Sequence, residues 1–438
     1  MKSVKLKKVD HGLSGSLKFP GDKSLSHRAI IFGALAEGIS SFTNVLAAED
    51  CVCTREAFES MGVQIHTSSS ATLKVTGHGL LSLKPPKKEI YLGNSGTSMR
   101  LLLGVLAGNP FEARLTGDAS LCGRPMRRVT DYLRQMGARF EGRDNANFAP
   151  ISVFGGKLRG IHADLPIPSA QVKSAILLAG LYAEGETSVT EPFKSRDHTE
   201  RFLSYFGAKL KQEGPRVSLT GGQVLKARSF EIAGDISSAA FFMVMAAIIP
   251  QAAITFQSVL WNPTRTGIAD VFRQAGAEIK ILRSGMDGPE PTADFSVTPC
   301  GLQAFEIQRK ELPLLIDEIP VLCVLATQAK GRTVIHEADE LRVKETDRIA
   351  SMCANLSKMG ARIKAEGNTI FIEGPTRLHG ARLDSFKDHR TAMSCIVAGM
   401  IAEGETTVTD LECINTSFPE FFELLAKCGV KYQFIDTP

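Results

Sequence analysis

The sequence has no CxxC pair, and among its nine cysteines only Cys51 and Cys53 lie close together. That pattern suits neither a disulfide framework nor a zinc site, and it points to a reducing compartment. No apolar run reaches the ~18 residues of a membrane span; the longest, Ala239 to Ile249, stops at Pro250. The N-terminal MKSVKLKKVDHG is basic but meets Asp10 and His11 where a secretory signal needs an apolar stretch. Net charge is only +4 over 438 residues, too small and dispersed for nucleic acid to be the main partner. A soluble, cytoplasmic protein with neither a membrane nor a nucleic-acid partner is expected. With 43% apolar and 22% charged residues the composition is globular, and about 150 residues per domain predicts two or three domains.

A nucleotide P-loop is missing too. PGDKSLSHR, from Pro20 to Arg28, has the ingredients, but Asp22 separates Gly21 from Lys23 and breaks the required Gly-Lys-Ser/Thr order. Two readings remain. Lys23, Ser24 and Arg28 stand at a helix start, where unpaired N–H groups and the dipole favour an anion. Alternatively, Ser24 is a helix N-cap and the two cations are solvated.

What the sequence does have is repetition. Six times a helical pattern ends in a small apolar residue, glycine, Ala or Val, then a strand-like run: at Gly62, Gly137, Gly207, Gly276, Gly360 and Gly429. The long interval before Gly360 contains the polar insert SGMDGPEPTAD. Before each glycine another turn joins an apolar helix to a β-rich segment, as in YAEGETSVTE and IAEGETTVTD. Glycine after a helix supplies the left-handed C′ conformation and carries no functional content by itself. Six at near-constant spacing indicate six α/β units, grouped three and three with a break near Ser237. A cleft between the halves is then the default binding site.

Charged groups recur at helix starts. GNSGTSMRLLLG, from Gly93, is a glycine-rich turn open to an anion or a plain capped turn. GDASLCGRPMRR sets Arg124 before Pro125, which restricts the local backbone. IPSAQVKSAILLAGL offers Ser169, Gln171 and Lys173, and PFKSRDHTERF carries Ser195 and Arg196. PLLIDEIPVLCVLA puts Asp317 and Glu318 in an apolar surround, where desolvation would raise a carboxylate toward a useful base. ELRVKETDRIASM places Lys344, Glu345, Asp347 and Arg348 on one expected helix start, with Glu345 and Arg348 also readable as an i,i+3 surface pair. KDHRTAMSC has His389 and Arg390 before another apolar helix. Basic residues at helix starts fit a small phosphorylated or carboxylated substrate.

Together GDKSLSHR, GNSGTSMR, GRPMRR, PSAQVKSA, the Asp317 segment, RVKETDR and DHRTAMS resemble, in order and over essentially the whole chain, the 5-enolpyruvylshikimate-3-phosphate synthase family. The resemblance implies a two-domain inside-out α/β barrel, each domain built from three βαβαββ units. The domains would be 21–236, and 1–20 plus 237–438, with the active site in the interdomain cleft. It implies transfer of enolpyruvate from phosphoenolpyruvate to shikimate 3-phosphate by a monomer, without metal or organic cofactor. Shikimate 3-phosphate would be held by Lys23, Ser24, Arg28, Ser169, Ala170, Gln171, Arg196, Asp317 and Lys344. Phosphoenolpyruvate would be held by Lys23, Gly96, Arg124, Gln171, Arg348 and Arg390, with Asp317 as base and Glu345 as acid.

Two positions depart from the family pattern. Thr416 replaces a lysine common in one branch, and Glu340 stands where many members have asparagine. PSAQVKSA with TSFPEF resembles the branch less sensitive to glyphosate, whereas Gly96 leaves open the space that alanine fills in tolerant members. Inhibitor sensitivity is therefore undecided by sequence. The rival readings are a UDP-N-acetylglucosamine enolpyruvyl transferase, for which Cys122 lies too close to Arg124, and a non-catalytic scaffold for an anionic metabolite. Cys122 itself reads as structural.

Overall fold

The computed structural model describes residues 2–69 and 71–436. Each of the six repeats forms a four-stranded sheet with one strand order, first–second–fourth–third. In the second repeat, Ile90–Tyr91 runs parallel to Glu112–Thr116, which pairs antiparallel with Phe148–Phe154; Arg139–Gly142 takes the edge. Between the first two strands lies one helix, and between the second and third another, giving βαβαββ.

Three repeats complete their sheets with strands from distant segments. Ser229–Glu231 pairs parallel with Glu37–Thr43 and opens the first repeat. Ser14–Lys18 does the same for Ala253–Leu260 in the fourth. Lys2–Lys7 lies between Glu405–Thr409 and Tyr432–Asp436 and closes the sixth. The chain divides into two compact units, Met1–Pro20 with Gly234–Gly285 and Pro291–Pro438, and Gly21–Ala233 with Met286–Glu290. The division thus falls after Ala233 rather than after Ile236. The polar insert is a long hairpin of Ile279–Asp287 and Glu290–Val297, and its tip, residues 286–290, groups with the second unit.

The helix that follows the first strand of each repeat is apolar all round and therefore buried. Ile236–Ile248 is covered at every position from Ile236 to Ala247, and it packs with Ile319–Gln328 and His389–Gly399 in the core of the first unit. Lys23–Leu35, Gly96–Ala107 and Ala170–Gly180 hold the same place in the second unit. The other helix of each repeat is amphipathic: Arg127–Met136 buries Val129, Thr130, Leu133 and Met136 on one stripe. All six repeat glycines adopt positive φ, between 77° and 114°, so each ends its helix in the left-handed region that a side chain disfavours.

Five of the six buried helices begin on a capping side chain: Asp22, Ser95, Ser169, Asp235 and Asp388 each accept from the first turn. Asp22, accepting from the Leu25 amide at 2.9 Å, replaces Ser24 as the cap of the first. A carboxylate two residues earlier caps the helix at Leu25 and adds favourable charge to the helix dipole. Ser24 is thereby left half-buried at the second position of the helix.

Behind that cap, His27 is fully buried, with Nδ1 2.8 Å from Thr54 Oγ1. Thr54 Oγ1 in turn lies 2.6 Å from Ser98 Oγ. Burial, with Lys23 and Arg28 nearby, pushes the His27 pKa from 6.5 down to about 3. The unfolded chain takes up this proton near pH 6.5 and the folded chain only near pH 3. The histidine's stabilising contribution is therefore complete above pH 6.5 and lost as pH falls toward 3. Each pH unit in that window costs about 1.4 kcal/mol. Thermal midpoints followed from pH 7 to 4 should fall less steeply for His27→Gln than for the unmodified protein; equal slopes would exclude His27 as the source.

Candidate active site

The expected site residues fall into two sets, one in each unit. In the Gly21–Ala233 unit, Lys23 Nζ lies 3.1 Å from Asp50 Oδ2. Arg28 is buried, donating from Nε to Thr199 Oγ1 (2.8 Å), from Nη1 to the Ser24 carbonyl (3.0 Å) and from Nη2 to Ser174 Oγ (2.9 Å). A guanidinium has five N–H donors, so two remain beyond these bonds. Burial lowers its pKa to about 10, and it stays charged at neutral pH.

Gly96, Arg124 and Gln171 are gathered around a residue the sequence did not single out. Arg100 is buried and donates from Nη1 to Gln171 Oε1 at 2.5 Å, while Gln171 Nε2 donates to Thr97 Oγ1 at 2.9 Å. Arg124 donates from Nη2 to Asn94 Oδ1 at 2.5 Å, and Asn94 donates to Asp118 at 2.7 Å. A Cβ on Gly96 would lie 3.0 Å from Arg100 Nη1 and 3.3 Å from Arg124 Nη1. The glycine therefore lets two guanidinium groups approach the start of the helix. Ser169 caps its helix by accepting from Val172 N at 3.4 Å, which leaves the hydroxyl hydrogen to donate. Ala170 is the first helical residue, and half-buried Arg196 precedes the helix His198–Tyr205.

Lys173 differs from its expected placement as an anion contact. It is buried between Glu191 and Glu200, at 2.6 and 2.7 Å. Burial opposes its charge, yet Glu200 and Glu191 outweigh this and hold its pKa above the ordinary lysine value.

In the other unit, Arg348 is the centre. It is 1% exposed and meets three carboxylates: Nε to Asp388 Oδ2 at 2.9 Å, Nη1 to Asp317 Oδ1 at 3.2 Å, and Nη2 to Glu345 Oε2 at 2.7 Å. Burial works against the charge of Arg348, but Asp388, Glu345 and Asp317 together raise its pKa. Lys344 Nζ and Arg390 Nε lie 3.8 and 3.9 Å from the same Asp317 oxygen. The purely apolar surround expected for Asp317 is thus replaced by three cations, which favour the ionised carboxylate from which a base must start. Glu318 is the carboxylate that is fully buried, accepting from Ser237 Oγ.

Lys344 and Glu345 do not begin the helix. They lie between a 3-10 segment, Asp339–Val343, and the helix Arg348–Lys358, which Asp347 caps. Asp388, also not singled out, caps the helix of Arg390 with Oδ1 while Oδ2 holds Arg348. Its signal was present, an aspartate immediately before His389 at a helix start.

The departures are placed plainly. Glu340 lies in the Asp339–Val343 segment, and Thr416 Oγ1 donates to the Cys413 carbonyl at 2.7 Å. Cys122 is half-buried, with Sγ 3.4 Å from the Gly117 carbonyl. Among the described residues no helix is long and apolar enough to cross a membrane.

Cations thus gather near helix starts in each of the two three-repeat units, with carboxylates among them around Arg348. The family model for EPSP synthase (3-phosphoshikimate 1-carboxyvinyltransferase) matches residues 8–425. The 3-phosphoshikimate 1-carboxyvinyltransferase of Bacillus cereus (strain ATCC 10987 / NRS 248) is 48% identical over 427 residues, covering 98% of this chain and 99% of its own. That of Brevibacillus brevis (strain 47 / JCM 6285 / NBRC 100599) is 48% identical over 415 residues, 95% and 97% of the two chains. The EPSP synthase structure from Acinetobacter baumannii superposes with a TM-score of 0.90 at 43% identity, over 100% of both chains. The enolpyruvyl transferase NikO from Streptomyces tendae shares the fold, with a TM-score of 0.79 at 18% identity over 100% of this chain and 99% of its own. This chain belongs to the EPSP synthase family, whose two-domain inside-out α/β fold it has.

Asp388→Asn should destabilise its unit by about 3 kcal/mol, the low end for breaking a buried ion pair, because Arg348 keeps Glu345 and Asp317. Urea unfolding measures this, and a change below about 0.5 kcal/mol, an ordinary surface effect, would show that Arg348 does not depend on Asp388.

Proposed function

We propose that Asp317 and Glu345 divide the proton transfers of the family's reaction, in which the enolpyruvyl group of phosphoenolpyruvate passes to the 5-hydroxyl of shikimate 3-phosphate and phosphate is released. The observation that carries this reading is the position of both carboxylates on Arg348, with Lys344 and Arg390 beside Asp317. Asp317 takes the hydroxyl proton as that oxygen attacks C2, and Glu345 gives a proton to C3. The resulting tetrahedral ketal phosphate returns a C3 proton to Glu345 as the C2–O bond to phosphate breaks, and the proton held by Asp317 leaves with the phosphate. Such general acid–base catalysis contributes about 10²–10⁴-fold.

The remaining residues hold the two substrates. Lys23, Ser24, Arg28, Ser169, Ala170, Gln171, Arg196, Asp317 and Lys344 take shikimate 3-phosphate. Lys23, Gly96, Arg124, Gln171, Arg348 and Arg390 take the phosphate and carboxylate of phosphoenolpyruvate. Cations fixed in place before reaction stabilise developing charge without reorganising. Arg348 arrives at the reaction already bonded to both carboxylates, so a bound anion would exchange with Glu345 and Asp317 and release them to move protons. The reading includes a monomeric protein of the cytoplasm.

Phosphate release from phosphoenolpyruvate, with shikimate 3-phosphate or UDP-N-acetylglucosamine as acceptor, tests the reaction. Release with shikimate 3-phosphate alone is expected; release only with the sugar nucleotide, or with neither, would overturn it. For the roles, Asp317→Asn and Glu345→Gln should each lower kcat by about 100-fold or more while the Kd for shikimate 3-phosphate stays within about threefold. Equal losses in turnover and affinity would assign both residues to binding. Gly96→Ala should raise the KM for phosphoenolpyruvate by roughly tenfold by displacing Arg124, and an unchanged KM would remove Gly96 from that subsite.

A further inference from the structure

One buried carboxylate of the second unit, with four hydrogen bonds, has no part in the chemistry above. Glu191 follows the strand Glu186–Thr190 and is 4% exposed. Its Oε1 accepts from Ser195 Oγ at 2.6 Å and from the Ser169 amide at 3.1 Å. Its Oε2 accepts from Lys173 Nζ at 2.6 Å and from the Ser195 amide at 3.3 Å. One carboxylate thus joins a strand end, a helix start and a loop.

A buried ion pair gives little net stability against its desolvation cost, so stability alone does not account for this one. In the loop it holds, Pro192, Phe193 and Lys194 are exposed and Ser195 is the first buried residue after Glu191. Ser195 directly precedes Arg196, and the Ser169 amide belongs to the residue whose hydroxyl caps the helix. Lys173 supplies the charge that holds Glu191 in place, and Glu200 balances Lys173 from the other side.

We infer that Glu191 is a positioning residue for the phosphate of shikimate 3-phosphate, setting the Ser169 hydroxyl and the Arg196 guanidinium through the Ser169 amide and Ser195. This rests on the reading of Ser169 and Arg196 as phosphate ligands. Glu191 meets the substrate only through them, and its loss acts on one substrate and not the other.

The test is steady-state kinetics on variants of the full chain. Glu191→Gln keeps the shape but leaves Lys173 facing an amide, and it should raise the KM for shikimate 3-phosphate roughly tenfold. The KM for phosphoenolpyruvate should stay within about twofold and kcat within about threefold. Glu200→Gln perturbs the same lysine without touching Ser169 or Ser195, so it should lower the thermal midpoint and leave both KM values in place. If Glu191→Gln does not fold, Glu191→Asp, which keeps the charge and withdraws it from the Ser169 amide, carries the same expectation. Ser169→Ala and Arg196→Ala separate the two readings: if both leave the KM for shikimate 3-phosphate unchanged, the ligand assignment fails. If they raise it and the Glu191 variant does not, or if the Glu191 and Glu200 variants shift both KM values alike, the positioning role is overturned.

Discussion

The parallel strand pair that opens every repeat is the interaction on which the other features depend. Parallel neighbours cannot be joined by a tight turn, so a helix must cross between them. In the chain each buried helix follows a strand that holds the first place of a sheet, its own in four repeats and the other's in the first and fourth, and starts at the strand's end, where open α/β sheets bind ligands. Lys23, Ala170 and Arg390 stand in the first turn of such helices, and Gly96 begins another. Where the chain has no local first strand, it borrows one: Ser229–Glu231 for the first repeat and Ser14–Lys18 for the fourth. The two repeats exchange these strands: the helix bearing Lys23 follows Ser14–Lys18 in the chain, and the helix bearing Ser237 follows Ser229–Glu231.

Helix starts favour anions, but the two residue sets use them differently. In the Gly21–Ala233 unit the guanidinium groups of Arg28, Arg100 and Arg124 are held mainly by neutral acceptors, namely hydroxyls, amide oxygens and carbonyls. Those bonds fix the direction of each guanidinium group. In the other unit Arg348 is met by Asp317, Glu345 and Asp388, so cations and carboxylates are interleaved. A cluster of that kind binds an anion less strongly and moves protons more readily. On the proposed reading, the carboxylates around Arg348 are what add acid–base chemistry to the binding that the arginines of both units provide.

Much of this was legible in the sequence because it is local. A helix stop needs only its glycine, so the six repeats could be read from Gly62 to Gly429 without a contact map. The motifs at helix starts likewise carry their residues within a few positions of one another. What escaped depended on contacts across long separations or on competition between neighbours. Nothing near Lys2–Lys7 indicates that it pairs with Glu405–Thr409. Asp22 and Ser24 are both good caps, and only the built turn shows Asp22 accepting from the Leu25 amide. Lys173 reads as an exposed cation until Glu191 and Glu200 fold onto it. Arg100 lies within GNSGTSMRLLLG, but its bond to Gln171 spans 71 residues.

Turnover in deuterium oxide bears most directly on the central claim, that the chain works by addition and elimination with a carboxylate protonating C3. Protonation from solvent-exchanged Glu345 would make a CH2D group in the tetrahedral intermediate, and elimination would leave deuterium in the vinyl group of the product. Mass spectrometry of that product is predicted to show solvent deuterium at the methylene carbon. A product whose methylene carbon holds only the hydrogens of the starting phosphoenolpyruvate would contradict it.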